Sequence, residues 1–413
     1  MGGLISDLSA RSIIDSRGNP TVEVDCFVDG VLLGRAAVPS GASTGSYEAV
    51  ELRDGGDDWG GKGVDGAVSK INGEIRSELI GMEVSDQESI DSKMINLDGT
   101  INKSRLGANA ILGTSMACLR AASDGPLWLH ISSGRRASMP VPLMNILNGG
   151  AHASTNVDIQ EFMIVPHGFS EFQEALRAGV ETYHALRKLL MEEGNLGGVG
   201  DEGGFAPNLP NNEEGLRLVQ RSIVRAGFSP GEQISMALDV AAQELLHDGK
   251  YRIDDKMLSG NELGSLYSEW IDSYPIVSIE DPFGEDDWDS WVEFTSRESE
   301  RIQIVGDDLY VTNPERLSKG IDSRASNSIL IKLNQIGTVT ETLEVIKMAK
   351  KAGFSTIISH RSGETSDDII ADFSVGTDSG QIKTGAPARS DRTSKYNQLL
   401  RISESISGFD SLF

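Results

Sequence analysis

ISMALD at 234–239, IVSIE at 276–280, IQIVGD at 302–307, ILIK at 329–332, TIISH at 356–360 and GQIK at 380–383 are short apolar runs, each ending on a charged or basic residue. Those last residues are Asp239, Glu280, Asp307, Lys332, His360 and Lys383, spaced 41, 27, 25, 28 and 23 residues apart. Strand–loop–helix units recur at such intervals, and a (β/α)₈ barrel made of them carries its chemistry at the C-terminal ends of its strands. Three carboxylates and two lysines converging on one mouth predict a divalent metal held beside an anionic substrate.

A barrel of this kind takes roughly 250 residues, so the 413-residue chain has room for one barrel and one smaller domain. Ahead of the runs, 21–28 (TVEVDCFV) alternates cleanly, Asp29-Gly30 supplies a hairpin turn, and 31–38 returns. Helical patterns follow at 67–80, 85–96 and 108–122, the last with Asn102 or Ser104 as its upstream cap. Residues 1–131 therefore read as an α+β domain. A polar linker at 132–138 (SSGRRAS) leads into the barrel, expected over 139–413. Its first strands are predicted at 141–147 and 162–165, with long amphipathic helices at 170–193 and 213–226. Two strands followed by two helices is an atypical opening for a barrel.

Composition narrows the function classes. The net charge of −25, from 62 acidic and 37 basic residues, opposes nucleic acid and anionic membrane as partners. No run approaches the roughly 18 uncharged apolar residues of a membrane span. The N-terminus lacks the apolar core of a signal peptide, so a cytoplasmic protein is expected. Cys26 and Cys118 lie in apolar segments and read as small buried hydrophobes.

The chemistry follows from the run ends. Asp239, Glu280 and Asp307 offer hard oxygen ligands without a Cys/His cluster, which suits Mg²⁺ better than zinc. In 328–334, Lys332 alternates with apolar residues and is expected to point into the barrel. Crowding by Lys383 and partial desolvation would lower its pKa and make it a general base. The run His360-Arg361-Ser362-Gly363 is read as opening a helix over 364–373, a phosphate site of guanidinium, hydroxyl and free amides. The loop at 39–45 (PSGASTG) offers hydroxyls but no P-loop lysine, and could be a turn or a lid. The loop at 198–205 (GVGDEGGF) presents Asp201 and Glu202, and His152 and Glu161 bracket a further loop.

Nine short segments carry a family resemblance in order along the chain: SRGNP at 16–20, 38–45, QEFM at 160–163, GDEGG at 200–204, SIEDPF at 278–283, 307–314, KLNQIGT at 332–338, SHRSGE at 359–364 and QIKTGAPAR at 381–389. Over nearly its whole length the chain resembles the enolase family, the hydro-lyases of 2-phosphoglycerate. The resemblance implies a ββαα(βα)₆ barrel behind an α+β domain whose mobile loop closes on substrate. It implies Asp239, Glu280 and Asp307 as ligands of one Mg²⁺, and Ser43 as a ligand of a second that arrives with substrate. It further implies Lys332 as base, Glu202 as acid and Glu161 as its partner. Arg361 and Ser362 would hold phosphate, Lys383 would meet the substrate carboxylate, and His152 and His360 would line the pocket. A homodimer or a ring of dimers is implied as well. Another barrel lyase acting next to a carboxylate would keep the metal acids but need not keep Arg361, Ser362 or the 39–45 loop. A non-catalytic protein on this fold would be expected to have lost an acid–base residue, and none is missing.

Overall fold

The computed structural model describes residues 2–41, 45–153, 155–406, 408, 409, 411 and 413. Its N-terminal part is an antiparallel sheet of Ile5–Ile14, Pro20–Val28 and Val31–Ala37, in that order. The first of these strands was not expected, because its sequence (ISDLSARSII) alternates poorly. Pairing with the second strand, which sets Leu8 against Cys26 and Ala10 against Val24, makes it a strand. The turn at Asp29-Gly30 has both residues at positive φ, +50° and +82°, as a tight hairpin requires.

Helix Ala108–Ala122 lies on this sheet. Small residues let it approach closely: a Cβ at Gly34 would come within 2.0 Å of the Ala117 carbonyl oxygen. Neither Asn102 nor Ser104 caps it. Gly107 occupies the N-cap position without a side-chain bond, while the Ser104 amide donates to Thr100 Oγ1 at 2.8 Å. Cys26 and Cys118 meet in this core, both free, with their sulfurs 3.8 Å apart. The pattern at 67–80 forms as Asp65–Lys70, a π turn at Ile71–Ile75 and Arg76–Leu79.

The larger part is a closed barrel. Around the ring its strands run Val141–Asn148, Glu161–Pro166, Ile234–Asp239, Ile276–Glu280, Gln303–Gly306, Ser328–Ile331, Ser355–Ser359 and Gly380–Lys383, and the last pairs with the first. The second strand is antiparallel to both neighbours and every other pairing in the ring is parallel. Helices Phe172–Glu192 and Asn212–Arg225 follow it before the strand–helix units begin, which is the ββαα(βα)₆ order. Several of these strands are buried along their whole length, hence their apolar runs. A short hairpin, Gly198–Val199 with Phe205–Ala206, extends the sheet beside the first strand.

The two parts meet across polar contacts. Asp91 accepts from the amide and hydroxyl of Thr340 at 2.9 and 2.6 Å, Lys103 pairs with Glu341 at 2.9 Å, and Arg120 reaches Asp367 at 2.8 Å. One expected helix is displaced. The chain after His360 does not turn helical until Ile369–Gly376, and Gly363 instead forms an antiparallel bridge with Ser40. Reciprocal bonds of 2.7 and 2.8 Å between their amides and carbonyls hold Gly363 against the N-terminal part. The Arg361–Ser362 pair is therefore presented by an inter-domain bridge and not by a helix N-terminus.

Candidate active site

Strand register builds the floor of the site. Glu161 lies opposite Asp239, and Asp239 opposite Glu280, so three acids from adjacent strands stand at one level. Lys383 Nζ lies between them, 3.2 Å from Glu161 Oε1, 2.9 Å from Asp239 Oδ2 and 2.9 Å from Glu280 Oε2. Burial acts to lower the Lys383 pKa, but the surrounding carboxylates outweigh it and hold the ammonium well above its usual range. Glu280 is pushed well up by burial and the Asp239 charge.

Asp307 stands one strand further on. Its Oδ2 accepts from Lys332 Nζ, its Oδ1 accepts from Gln335 at 2.9 Å, and its amide donates to Asp281 Oδ1 at 2.9 Å. The Lys332 pKa departs from the sequence expectation. Burial does work to lower it, yet the Asp307 carboxylate prevails and the value is raised. Crowding with other cations is the smaller influence because each lysine has its own acid.

Across the ring from Lys332 lies a second group. His152 Nδ1 is 3.6 Å from Glu161 Oε1 and 3.7 Å from Glu202 Oε1. Glu202 Oε2 is 3.3 Å from His360 Nε2 and accepts from Asn145 Nδ2 at 3.0 Å. Burial opposes ionisation of both carboxyls. Glu161 is pushed well up by burial and the Glu202 charge, whereas Glu202, beside the His360 and His152 rings, is held well below the usual range. The two carboxyls, both close to His152 Nδ1, titrate as a pair.

One cavity at the strand ends is lined by His152, Glu161, Glu202, Asp239, Asp307, Lys332, His360, Arg361, Ser362 and Lys383. Glu280 joins the group through Lys383. Ser43 lies outside the described residues. Arg361 is paired with Glu48 at 2.9 Å and bonded to Asn334 Oδ1 at 3.0 Å, while Arg17 donates to Ser362 Oγ at 3.2 Å. The loops of this mouth carry backbone strain: Ala241, Asp281, Val311 and Thr312 have φ of +48°, +41°, +46° and +53°.

The donor chemistry fits a hard divalent cation. Asp239, Glu280 and Asp307 are buried carboxylates at the ends of consecutive strands, and Asp281, Asp307 and Asp308 can place oxygens within 4.8 Å of one another. Burial and the Asp307 charge push Asp308 up to about 7.

A mostly parallel barrel with buried carboxylates, lysines and histidines gathered at its strand ends has the build of a metal-assisted barrel enzyme. Residues 5–130 match the family described as "Enolase, N-terminal domain", and residues 136–411 match "Enolase, C-terminal TIM barrel domain". The chain is 56% identical over 406 residues to the enolase of Acidothermus cellulolyticus, covering 98% of this chain and 95% of the relative. It is 53% identical over 407 residues to the enolase of Beutenbergia cavernae, covering 98% and 96%. The chain belongs to the enolase family, Mg²⁺-dependent hydro-lyases that interconvert 2-phosphoglycerate and phosphoenolpyruvate.

Several residues of the site escaped the sequence reading. Asp281 lies within the SIEDPF segment, Gln335 within KLNQIGT, and Asn145 on the first barrel strand. Their signal was present only as polar residues inside apolar or family-like runs. Arg392 had no such signal.

Proposed function

We propose that this chain dehydrates 2-phosphoglycerate in two steps, with Lys332 removing the C2 proton and Glu202 protonating the departing C3 hydroxyl. The observation that carries this reading is the order around the ring. The strand before Lys332 stands four places from the strand that begins with Glu161. Base and acid therefore face one another across a substrate seated between them. Once the Asp307 charge is otherwise balanced, Lys332 gives up its third proton to solvent, and the neutral amine then takes the C2 proton at Nζ. The Glu161–Glu202 pair relays a proton to the hydroxyl, and the buried, unpartnered Glu161 Oε2 and His152 Nδ1 suit that leaving group.

Asp239, Glu280 and Asp307 would hold one Mg²⁺, and Ser43 would contribute to a second that arrives with substrate. These ions supply positive charge that balances the carboxylates and the enolate developing beside them. Lys383 orients the substrate carboxylate, Arg361 and Ser362 grip the phosphate, and His152 and His360 close the walls. The reading takes residues 1–131 and 139–413 as the two domains, an assembly of two subunits or a ring of dimers, and a cytoplasmic setting. Among the described residues no helix is long and apolar enough to cross a membrane. The direct test is purified protein with 2-phosphoglycerate and Mg²⁺, followed by the absorbance of phosphoenolpyruvate. Product that accumulates with Mg²⁺ and stops with chelator supports the proposal, and its absence in saturating Mg²⁺ contradicts it.

A further inference from the structure

Arg392 is fully buried, at 0% exposure, in the first turn of helix Ser390–Ser403. Both features are costly: a cation there opposes the helix dipole, and a buried guanidinium must be matched donor by donor. Its Nη1 donates to the Arg361 carbonyl at 2.6 Å and to Nδ1 of His360. Its Nη2 donates to the carbonyls of Ser362 at 2.7 Å and Asp201 at 3.2 Å. Asp391 Oδ2, 2.9 Å from Nε but not hydrogen-bonded to it, balances the charge. The side chain thus ties the loop that carries Glu202 to the loop that carries His360, Arg361 and Ser362.

The imidazole contact has a chemical consequence beyond that clamp. A guanidinium has donors and no acceptor, and it stays charged at any pH the protein survives. The nitrogen it meets must therefore be the unprotonated one. A neutral His360 then carries its single proton on Nε2, which is buried without a hydrogen-bond partner and lies 3.3 Å from Glu202 Oε2. On that tautomer the ring nitrogen nearest Glu202 carries a hydrogen and not a competing lone pair. Close packing fixes the arrangement. A Cβ at Gly385, where φ is +80°, would lie 2.9 Å from Arg392 Cδ, 2.9 Å from the Glu202 carbonyl oxygen and 3.0 Å from His360 Cε1.

We infer that Arg392 is a positioning residue that fixes His360 as its Nε2–H tautomer and so aims a hydrogen donor at Glu202, the group that acts on the C3 hydroxyl. The inference rests on the acid role given to Glu202, but the tautomer can be read without it. Long-range ¹H–¹⁵N spectra of histidine-labelled protein, with His360 identified by its loss in His360→Asn, report which ring nitrogen bears the proton. The unsubstituted protein is expected to show a protonated Nε2 and a bare Nδ1, and a protonated Nδ1 overturns the inference whatever any variant does.

Arg392→Met keeps the bulk and removes every donor, while Arg392→Lys keeps a single donor nitrogen. With Met, the His360 pattern is expected to lose its single tautomer. Formation of phosphoenolpyruvate should fall ~100-fold, the lower range for a misplaced acid–base group, while solvent exchange of the C2 hydrogen changes far less. Lysine should restore part of both signals. A residue that only clamps carbonyls would lower exchange and dehydration together and leave the tautomer intact, and that result overturns the inference. If Met does not fold, the lysine variant and the unsubstituted spectrum still decide. Failure of the Glu202 assignment shows separately, as dehydration that survives Glu202→Gln.

Discussion

Asp307 shows how much one carboxylate does at this mouth. It pairs with Lys332, accepts from Gln335, and is aimed by the bond from its own amide to Asp281. Asp307→Asn keeps the shape and removes the charge. Mg²⁺ affinity is expected to fall by more than ~10-fold, read by calorimetric titration, while Tm changes little because a strand-end acid serves the site more than the core. An unaltered Mg²⁺ isotherm would remove Asp307 from the proposed ligand set. The strand-end acids and Lys332 were legible in sequence because each interrupts an apolar run. The direction of the Lys332 shift was not, since it depends on which acid the ammonium meets. Arg392 was invisible for a related reason: one of its partners, Asp201, is 191 residues away in sequence.

Among the elements, the turn after the last barrel strand is tightly held. The Gly385 carbonyl accepts from Tyr396 at 2.7 Å, and the next amide, that of Ala386, donates to the Glu202 carbonyl at 3.0 Å. Gly385→Ala would impose a side chain at φ +80° against Arg392, Glu202 and His360. The expected result is a stability loss of at least ~1 kcal/mol in denaturant titration, together with slower dehydration. Parent-like values in both would show that the turn has slack. Most barrel strands and long helices were legible because burial imposes the periods the eye reads. The helix expected over 364–373 starts only at Ile369 because the bridge from Ser40 to Gly363 competes for the backbone before it, and such a bridge leaves no local trace.

For the molecule as a whole, the barrel rhythm was legible but the docking of its N-terminal part was not, because those contacts join single polar residues on distant segments. Asp372 is one of them. It accepts from the Trp128 amide at 3.1 Å and from Gln398 at 2.9 Å, and burial raises its pKa from 3.8 to about 6. A carboxyl with a raised folded-state pKa stabilises the fold while protonated and loses that contribution as pH rises. The parent should therefore lose stability, through this group, as pH climbs from about 4 to about 6. Asp372→Asn should flatten that part of a Tm-against-pH curve. Parallel curves for the two proteins would show that Asp372 does not titrate in that window.

The account turns on a lysine acting first and a glutamate acting second from the far side of one ring. Proton NMR of 2-phosphoglycerate in D₂O with Mg²⁺ separates the two steps. With Lys332→Ala, both exchange of the C2 hydrogen and formation of phosphoenolpyruvate should be lost. With Glu202→Gln, C2 exchange should continue while dehydration collapses by ~10² or more. Exchange that persists with Lys332→Ala, or dehydration that survives Glu202→Gln, would contradict the division of labour proposed for this site.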